Sequence, residues 1–137
     1  MASIEWNKSY SVNIPSLDEQ HKKLFAIFNK TQDMIKSGKP GTDLNEIFQD
    51  AIKYALEHFI YEEKLMFENR YDKLAEHKLE HEKFIETVNN YISRFRSTDS
   101  VHPQPVEVLG FLIDWLQNHI LKRDKEYSSY LESKGVI

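Results

Sequence analysis

The sequence predicts an all-α fold, an antiparallel up-down-up-down four-helix bundle that follows an extended N-terminal segment. Its 4 Gly and 4 Pro lie almost wholly at breaks between long segments, which is typical of helices joined by short loops. Apolar residues within those segments recur every three to four positions, and no stretch shows the alternation of a strand. Helices joined in this way pack antiparallel. We therefore expect residues 1–137 to form a single domain.

The first two helices are located by their start and stop signals. Ser16 is predicted to cap the first helix, and Gly38 is predicted to stop it, which gives a range of roughly 16–37. Asp43 is predicted to cap the second helix, which then continues over roughly 43–69.

The last two helices follow from the same kinds of signal. Asp72 is predicted to cap the third helix, whose apolar stripe gives a range of roughly 72–96. A polar loop comes next, and Pro105 suits the first turn of a fourth helix over roughly 105–132.

Composition and charge exclude several functional classes. A net charge of -4 and a pI near 5.9 provide no basic patch, so nucleic acid is not an expected partner. Because the chain has no cysteine, only His, Asp and Glu remain for metal chemistry. The N-terminus contains no apolar stretch typical of a signal peptide, and the longest apolar run is too short for stable membrane insertion. We therefore expect a cytoplasmic protein.

Five of the 6 histidines fall on apolar helix faces. His21 shares a face with Leu24 and Phe28, and His58 lies four residues before Glu62 on the apolar side of the second helix. A single core histidine is more often bonded to a neighbour than to a metal. A buried carboxylate such as Glu62, however, is costly unless it is paired or bound to a cation.

The third helix carries two more histidines, His77 and His81, whose four-residue spacing allows them to chelate one ion. A zinc peptidase is not favoured, because such a helix places a glutamate directly after its first histidine, where Lys78 stands. Three neighbouring carboxylates lie off the buried faces and are predicted to be solvated: Glu63, Glu80 and Glu82.

The fourth helix carries His119 and Asp124, whose five-residue spacing does not fit a regular helix. In an α-helix the two side chains would lie about 140° apart, and Arg123 would face the core instead. A guanidinium aimed at a cation site is unfavourable, so we predict a π-helical irregularity between His119 and Asp124. The sixth histidine, His102, precedes a proline in a polar loop and is predicted to be exposed.

Five imidazoles and two carboxylates exceed the needs of one metal centre, so they indicate a site for two ions. In order and spacing these residues resemble the hemerythrin family over nearly the whole chain. The likeness is carried by Asp18-Glu19-Gln20-His21, His58-Phe59, Glu62-Glu63, Met66, His77, His81, Trp115-Leu116, His119-Ile120 and Asp124, with Trp6-Asn7 and Ser11-Val12 similar to the lead-in. The chain looks like a single-domain bacterial hemerythrin.

The resemblance implies a non-haem di-iron centre, cycling between Fe2+ and Fe3+, that binds dioxygen reversibly. By the family pattern, one iron takes His77, His81 and His119, the other takes His21 and His58, and Glu62, Asp124 and an oxo or hydroxo group bridge them. That count leaves an open coordination position on the two-histidine iron. Four apolar residues are candidates for a dioxygen pocket there: Leu24, Phe28, Leu116 and Ile120.

The expected function is thus oxygen transport, storage or delivery rather than catalysis. A ferritin-like oxidase is not favoured, because such bundles use more carboxylates and Glu-x-x-His pairs. Minor peroxidase or nitric oxide reductase activity stays open as an alternative. So does an oxygen, redox or iron sensor, which would need a separate protein partner because four helices leave no residues for an output domain. A bundle without metal would oblige five buried histidines to find other partners.

Overall fold

A computed structural model describes residues 6–37, 44–97 and 101–135. It contains a short 3-10 helix (Lys8–Tyr10), three uninterrupted helices and one interrupted helical rod. The helices are α1 (Pro15–Ser37), α2 (Leu44–Glu68) and α3 (Leu74–Arg96), and the rod comprises α4 (Pro105–Trp115), a π-helical segment (Leu116–Asp124) and α5 (Lys125–Ser133). α1 packs against α2 and α4, and α2 packs against α3. The described ranges contain no strand, so the predicted all-α four-helix bundle is confirmed.

The helix starts differ from the predicted caps. α1 begins at Pro15, and the Ser16 hydroxyl faces the Tyr61 hydroxyl at 2.9 Å instead of capping the helix. At the N-terminal end of α1, the Asp18 carboxylate accepts a hydrogen bond from the Val12 N–H at 2.9 Å. α3 begins at Leu74, two residues after Asp72, so the predicted cap there is also wrong. Asp43, the predicted cap of α2, lies outside the described residues.

The N-terminal segment closes one end of the bundle. The Ser128 hydroxyl of α5 donates to the Val12 carbonyl at 2.7 Å, and the Asn13 amide donates to the Glu132 carboxylate at 2.9 Å. These contacts help to form a small end cluster of buried apolar residues: Val12, Ile14, Leu17, Met66, Tyr71, Tyr127 and Leu131.

A larger cluster of buried apolar residues, the main core, includes Leu24, Phe59, Leu112 and Ile120. A layer of buried polar residues separates it from the end cluster. Along α1, His21 lies between Leu17 of the end cluster and Leu24 of the main core. Along α2, Glu62 lies between Phe59 of the main core and Met66 of the end cluster. The polar layer therefore crosses the interior of the bundle. None of the described helices is long and apolar enough to cross a membrane.

Candidate metal centre

The five histidines and two carboxylates singled out in the sequence meet in this polar layer, and all seven are at most 3% exposed. Their ligand atoms form two groups that share one residue, the first comprising Glu62, His77, His81 and His119, and the second His21, His58, Glu62 and Asp124. His102, in contrast, is exposed, as predicted. The bundle thus brings together residues that lie up to 103 positions apart in the chain.

Regular helical geometry supplies four of these residues. His58 and Glu62 stack on one face of α2, with His58 Nε2 at 3.2 Å from Glu62 Oε2. His77 and His81 do the same on α3, where their ring centroids are 4.6 Å apart. A four-residue spacing in an α-helix is sufficient to explain both pairs.

The rod supplies His119 and Asp124 through a local change of helix type. Residues Leu116–Asp124 are π-helical, which confirms the irregularity predicted from the five-residue spacing. Asp124 is consequently fully buried. Arg123 turns outward, and its Nε donates to Glu80 Oε2 at 2.9 Å.

Glu62 directs one oxygen to each half of the site. Its Oε1 lies 2.7 Å from His77 Nε2 and 3.1 Å from His81 Nε2. Its Oε2 lies 3.2 Å from Nε2 of His58, on the opposite half. A carboxylate placed in this way can bridge two cations.

Asp124 repeats this arrangement from the other side of the bundle. Its Oδ1 lies 2.9 Å from His77 Nε2 and 3.1 Å from His119 Nε2, whereas its Oδ2 lies 3.1 Å from His21 Nε2. Both oxygens are buried, yet neither accepts a hydrogen bond of acceptable geometry from the described residues. The carboxylate and the imidazoles therefore converge on shared points rather than on one another.

Three histidines are oriented from behind by hydrogen bonds from Nδ1. His58 donates to the Gln20 amide oxygen at 2.7 Å, and His81 donates to Glu63 Oε2 at 2.9 Å. His119 donates to Glu80 Oε1 at 3.3 Å. These oxygens can only accept, so Nδ1 carries the proton and Nε2 presents a lone pair in each neutral ring.

Two of these acceptors, Glu63 and Glu80, are less exposed than the sequence predicted. Glu63 and Glu80 were expected to be solvated, but their side chains are only 24% and 27% exposed and each faces a histidine. Glu82 is exposed, as predicted. Gln20 was not singled out for this role, although an acceptor behind each ligating imidazole is a general feature of metal sites and is the signal that would have prompted the search.

The donor geometry fits a metal ion. His81 Nε2 and His119 Nε2 face each other at 3.2 Å, although both present lone pairs, a contact that only a cation or an extra proton makes favourable. An ion with ligands at about 2.1 Å and right angles separates neighbouring ligand atoms by about 3.0 Å. The N–O and N–N separations in the site, from 2.7 Å for Glu62 and His77 to 3.2 Å, match this spacing.

The electrostatics also favour bound cations. Burial alone would raise the pKa of Glu62, but the surrounding histidines hold it well below its ordinary value. The same is true of Asp124, whose pKa is held low by His119 and His21 despite burial and the nearby charge of Glu62. Two anions thus occupy the interior of the bundle. Burial would lower the pKa of His77, but these two carboxylates raise it to about 10.

Aromatic rings hold three of the imidazoles in place. Phe59 stacks on His81 with centroids 3.9 Å apart, and Trp115 stacks on His119 at the same distance. Tyr54 stacks on His58 at 5.2 Å. Two of these contacts had a sequence signal, because both Tyr54 and Trp115 precede a histidine by four residues on one helix face.

A small apolar cavity of about 10 Å³ lies between α1 and α4. It is lined by Leu24, Phe25, Phe28, Leu112 and Leu116. Three of the four residues expected to form a dioxygen pocket therefore share one cavity, whereas Ile120 does not line it and instead packs in the main core.

Comparisons with known proteins bear on this site. Residues 12–131 match the Hemerythrin family, described as the Hemerythrin HHE cation binding domain. A bacteriohemerythrin of Pseudomonas aeruginosa is 34% identical over 127 residues, which cover 93% of this chain and 80% of that protein. A bacteriohemerythrin of Methylococcus capsulatus is 31% identical, covering 97% of this chain and 100% of that protein. A crystal structure of a hemerythrin mutant matches with a TM-score of 0.82 and 30% identity, covering 96% of this chain and 98% of that chain.

The family match spans the five histidines and two carboxylates of the site, from His21 in α1 to Asp124 at the end of the π-helical segment. The likeness in overall fold extends over nearly the whole chain. The resemblance found in the sequence is thus confirmed. The chain belongs to the hemerythrin family, whose members are oxygen-binding proteins with a non-haem di-iron site.

Proposed function

We propose that this chain binds dioxygen reversibly, as a carrier or store, at two iron ions held in the polar layer. The observation that carries the proposal is the placement of Glu62 and Asp124, each of which directs one oxygen to each group of histidines. Two such carboxylates supply a bridge on either side of a pair of cations. When bound, the iron pair would supply the electrons and the open coordination position that dioxygen requires.

The proposed ligand roles follow the two groups of histidines. His77, His81 and His119 would hold one iron through Nε2, and His21 and His58 would hold the other. Counting the two bridging carboxylates and a bridging oxo or hydroxo group leaves the iron of His21 and His58 with one ligand fewer. We therefore place dioxygen on that side.

The chain's own role toward dioxygen would be to orient it and to exclude water. Leu24, Phe28 and Leu116 line the small apolar cavity, and their side chains offer no hydrogen bond to water. Excluding water protects a reduced metal site from side reactions. Ile120, which lies outside the cavity lining, would contribute only by packing behind it.

A spectroscopic titration tests the proposal. Anaerobic protein loaded with Fe2+ is mixed with oxygen, and a visible charge-transfer band is expected to form and to bleach when oxygen is removed. His21→Gln and His58→Gln should abolish the band while the far-ultraviolet circular dichroism stays helical. His102→Gln, a change at an exposed histidine, is the matched control and should leave the band intact.

Failure would take a recognisable form. A band that forms but never bleaches would exclude reversible binding. Steady consumption of peroxide with a reductant, without a stable oxygen adduct, would indicate the enzyme alternative instead. The cytoplasmic location and the protein that receives the oxygen stay predictions.

A second candidate, oxygen sensing, is favoured by one surface feature. Leu56, Ile60 and Phe67 lie on one face of α2 and are 52%, 65% and 74% exposed. α2 also carries His58 and Glu62, so a change at the site could reach this face directly. Equal amide hydrogen exchange over α2 in the oxygen-free and oxygen-bound forms would exclude this candidate.

A further inference from the structure

The acceptors behind the histidines differ in charge between the two halves of the site. In the half that contains three histidines, His81 donates to the Glu63 carboxylate at 2.9 Å and His119 donates to the Glu80 carboxylate at 3.3 Å. Both acceptors are half-buried, so water screens them only in part. Two of the three imidazoles in this half are therefore backed by an anion.

In the half that contains His21 and His58, none of the described residues places an anion behind either imidazole. His58 donates to the neutral amide of Gln20 at 2.7 Å. Nδ1 of His21 is buried and has no hydrogen-bond partner among residues 6–37, 44–97 and 101–135. The His58 imidazole thus donates to a neutral amide dipole, and the His21 imidazole has no Nδ1 acceptor among the described residues.

The π-helical segment also holds one of these acceptors in position. The same irregularity that turns Asp124 inward places Arg123 on the outside, where its Nε holds Glu80 Oε2 at 2.9 Å. The other oxygen of Glu80 faces His119. Arg123 thereby fixes the carboxylate against the imidazole, since a guanidinium and a carboxylate pair in a defined orientation.

We propose that these acceptors rank the two metal positions, so that the position of His77, His81 and His119 fills first and binds more tightly. A carboxylate that accepts the Nδ1 proton makes the imidazole a stronger donor and fixes its ring, whereas an amide does so less. Glu63, Glu80 and Gln20 are positioning residues in this account. The inference rests on the proposed two-metal site but not on its binding of oxygen.

A cobalt titration tests the ranking. Full-length metal-free protein is titrated with Co2+ under nitrogen, and binding is followed by visible absorption and by calorimetry. Two steps are expected, the first tighter than the second. Glu63→Gln and Glu80→Gln should each weaken the first step by about 10- to 100-fold, the usual effect of losing such a partner, and leave the second step unchanged.

A reciprocal variant separates this role from a merely structural one. Gln20→Glu places an anion behind His58 and should tighten the second step by about tenfold, which narrows the gap between the steps. A residue that only supports the fold would lose affinity on substitution, not gain it. Glu82→Gln removes an exposed carboxylate next to His81 in the chain and should change neither step.

Each outcome decides something. Two ions bound in one step of equal affinity, or a second step weakened by Gln20→Glu, would overturn the ranking. Should a glutamine variant of Glu63 or Glu80 fail to fold, as judged by circular dichroism, the Gln20→Glu result decides alone. A chain that ranks Co2+ as expected but takes up no oxygen with iron overturns the proposed function only. A chain that binds oxygen but does not rank Co2+ overturns this inference only.

Discussion

α2 and the π-helical segment bring side chains to the site through different helix geometry. Each contributes one histidine and one buried carboxylate, but His58 and Glu62 lie four residues apart in α2, whereas His119 and Asp124 lie five apart in the rod. The α2 pair needs no departure from standard helix geometry. The rod pair exists only because the helix widens over Leu116–Asp124.

The difference teaches what the widened turn contributes. In a regular helix Arg123 would face the histidines, which would place a cation against a cation site. The π-helical segment exchanges these two neighbours, so that Asp124 is fully buried and Arg123 pairs with Glu80. One local irregularity therefore places a carboxylate inside the site and an ion pair outside it.

Neutralising the carboxylates should produce the largest effect and tests whether the two bridges are equivalent. Glu62→Gln and Asp124→Asn preserve shape, but a neutral amide cannot compensate two cations. Each variant should retain one metal ion or none per chain, against two in the unaltered protein, measured by metal analysis after gel filtration. Glu86→Gln, an exposed carboxylate on α3, is the control. Full metal content in either buried variant would contradict the bridging role.

Changing the spacing of the histidine and carboxylate should have the next largest effect in α2 and little effect in the rod. Deleting Lys122, an exposed residue, removes the extra residue of the π-helical segment. In a regular helix Asp124 would then follow His119 by four residues, so Asp124 and Tyr127 should both keep facing the interior, two metal ions should still bind, and the metal-free Tm should be unchanged or higher. Titration and thermal unfolding of the deletion variant measure both.

The matched change in α2 should behave differently. Inserting one alanine after Ile60 rotates Glu62 and the residues that follow it by about 100°, so both metal binding and the metal-free Tm should fall. A Lys122 deletion that stays folded but loses metal would show that the widened turn does more than compensate for the five-residue spacing.

These contrasts also show how much the sequence could predict. The regular four-residue spacing identified the pairs His58–Glu62 and His77–His81. The irregular five-residue spacing of His119 and Asp124 correctly predicted a π-helical segment between them. The supporting carboxylates were missed, because Glu63 and Glu80 lie off the buried faces of their own helices and meet their histidines only across helix boundaries. Contacts of that kind depend on how neighbouring helices are rotated against each other. The spacing of residues within a single helix carries no information on that rotation.

Helix starts were missed for a related reason. Asp18 accepts the Val12 N–H, so the N-terminal segment folds back over the start of α1, and Ser16 is left to contact Tyr61. A capping pattern read from neighbouring residues does not include hydrogen-bond partners that lie far away in the sequence.

Removing the stacked rings should have a smaller effect. Phe59→Leu and Trp115→Leu each remove a ring that lies 3.9 Å from an imidazole. The free energy of unfolding should fall by about 1–3 kcal/mol in each variant, because a cavity replaces a packed ring. Both should still bind two metal ions. Loss of an ion in only one of them, measured by metal analysis, would show that the two segments rely on their rings unequally.

The pH dependence of the metal-free protein should give the smallest effect, with opposite signs for the two segments. Burial lowers the pKa of His58 in α2, whereas Asp124 raises the pKa of His119 against the effect of burial. The contribution of His58 is therefore present above its unfolded value of 6.5 and lost as pH falls, and that of His119 is present below 6.5 and lost as pH rises.

Urea unfolding between pH 5 and 9 measures this difference. His58→Gln should flatten the acid side of the stability profile, and His119→Gln should flatten the alkaline side. Identical profiles for the two variants would show that α2 and the π-helical segment do not differ in their electrostatics.

The central claim is that these seven residues hold a pair of iron ions that takes up oxygen and returns it. Oxygen uptake by anaerobic Fe2+-loaded protein, measured with an oxygen electrode and followed by removal of oxygen under nitrogen, tests it most directly. The account predicts one molecule of oxygen taken up for every two irons, recovered on deoxygenation over repeated cycles. Uptake of one oxygen per single iron, no uptake, or consumption without recovery would contradict it.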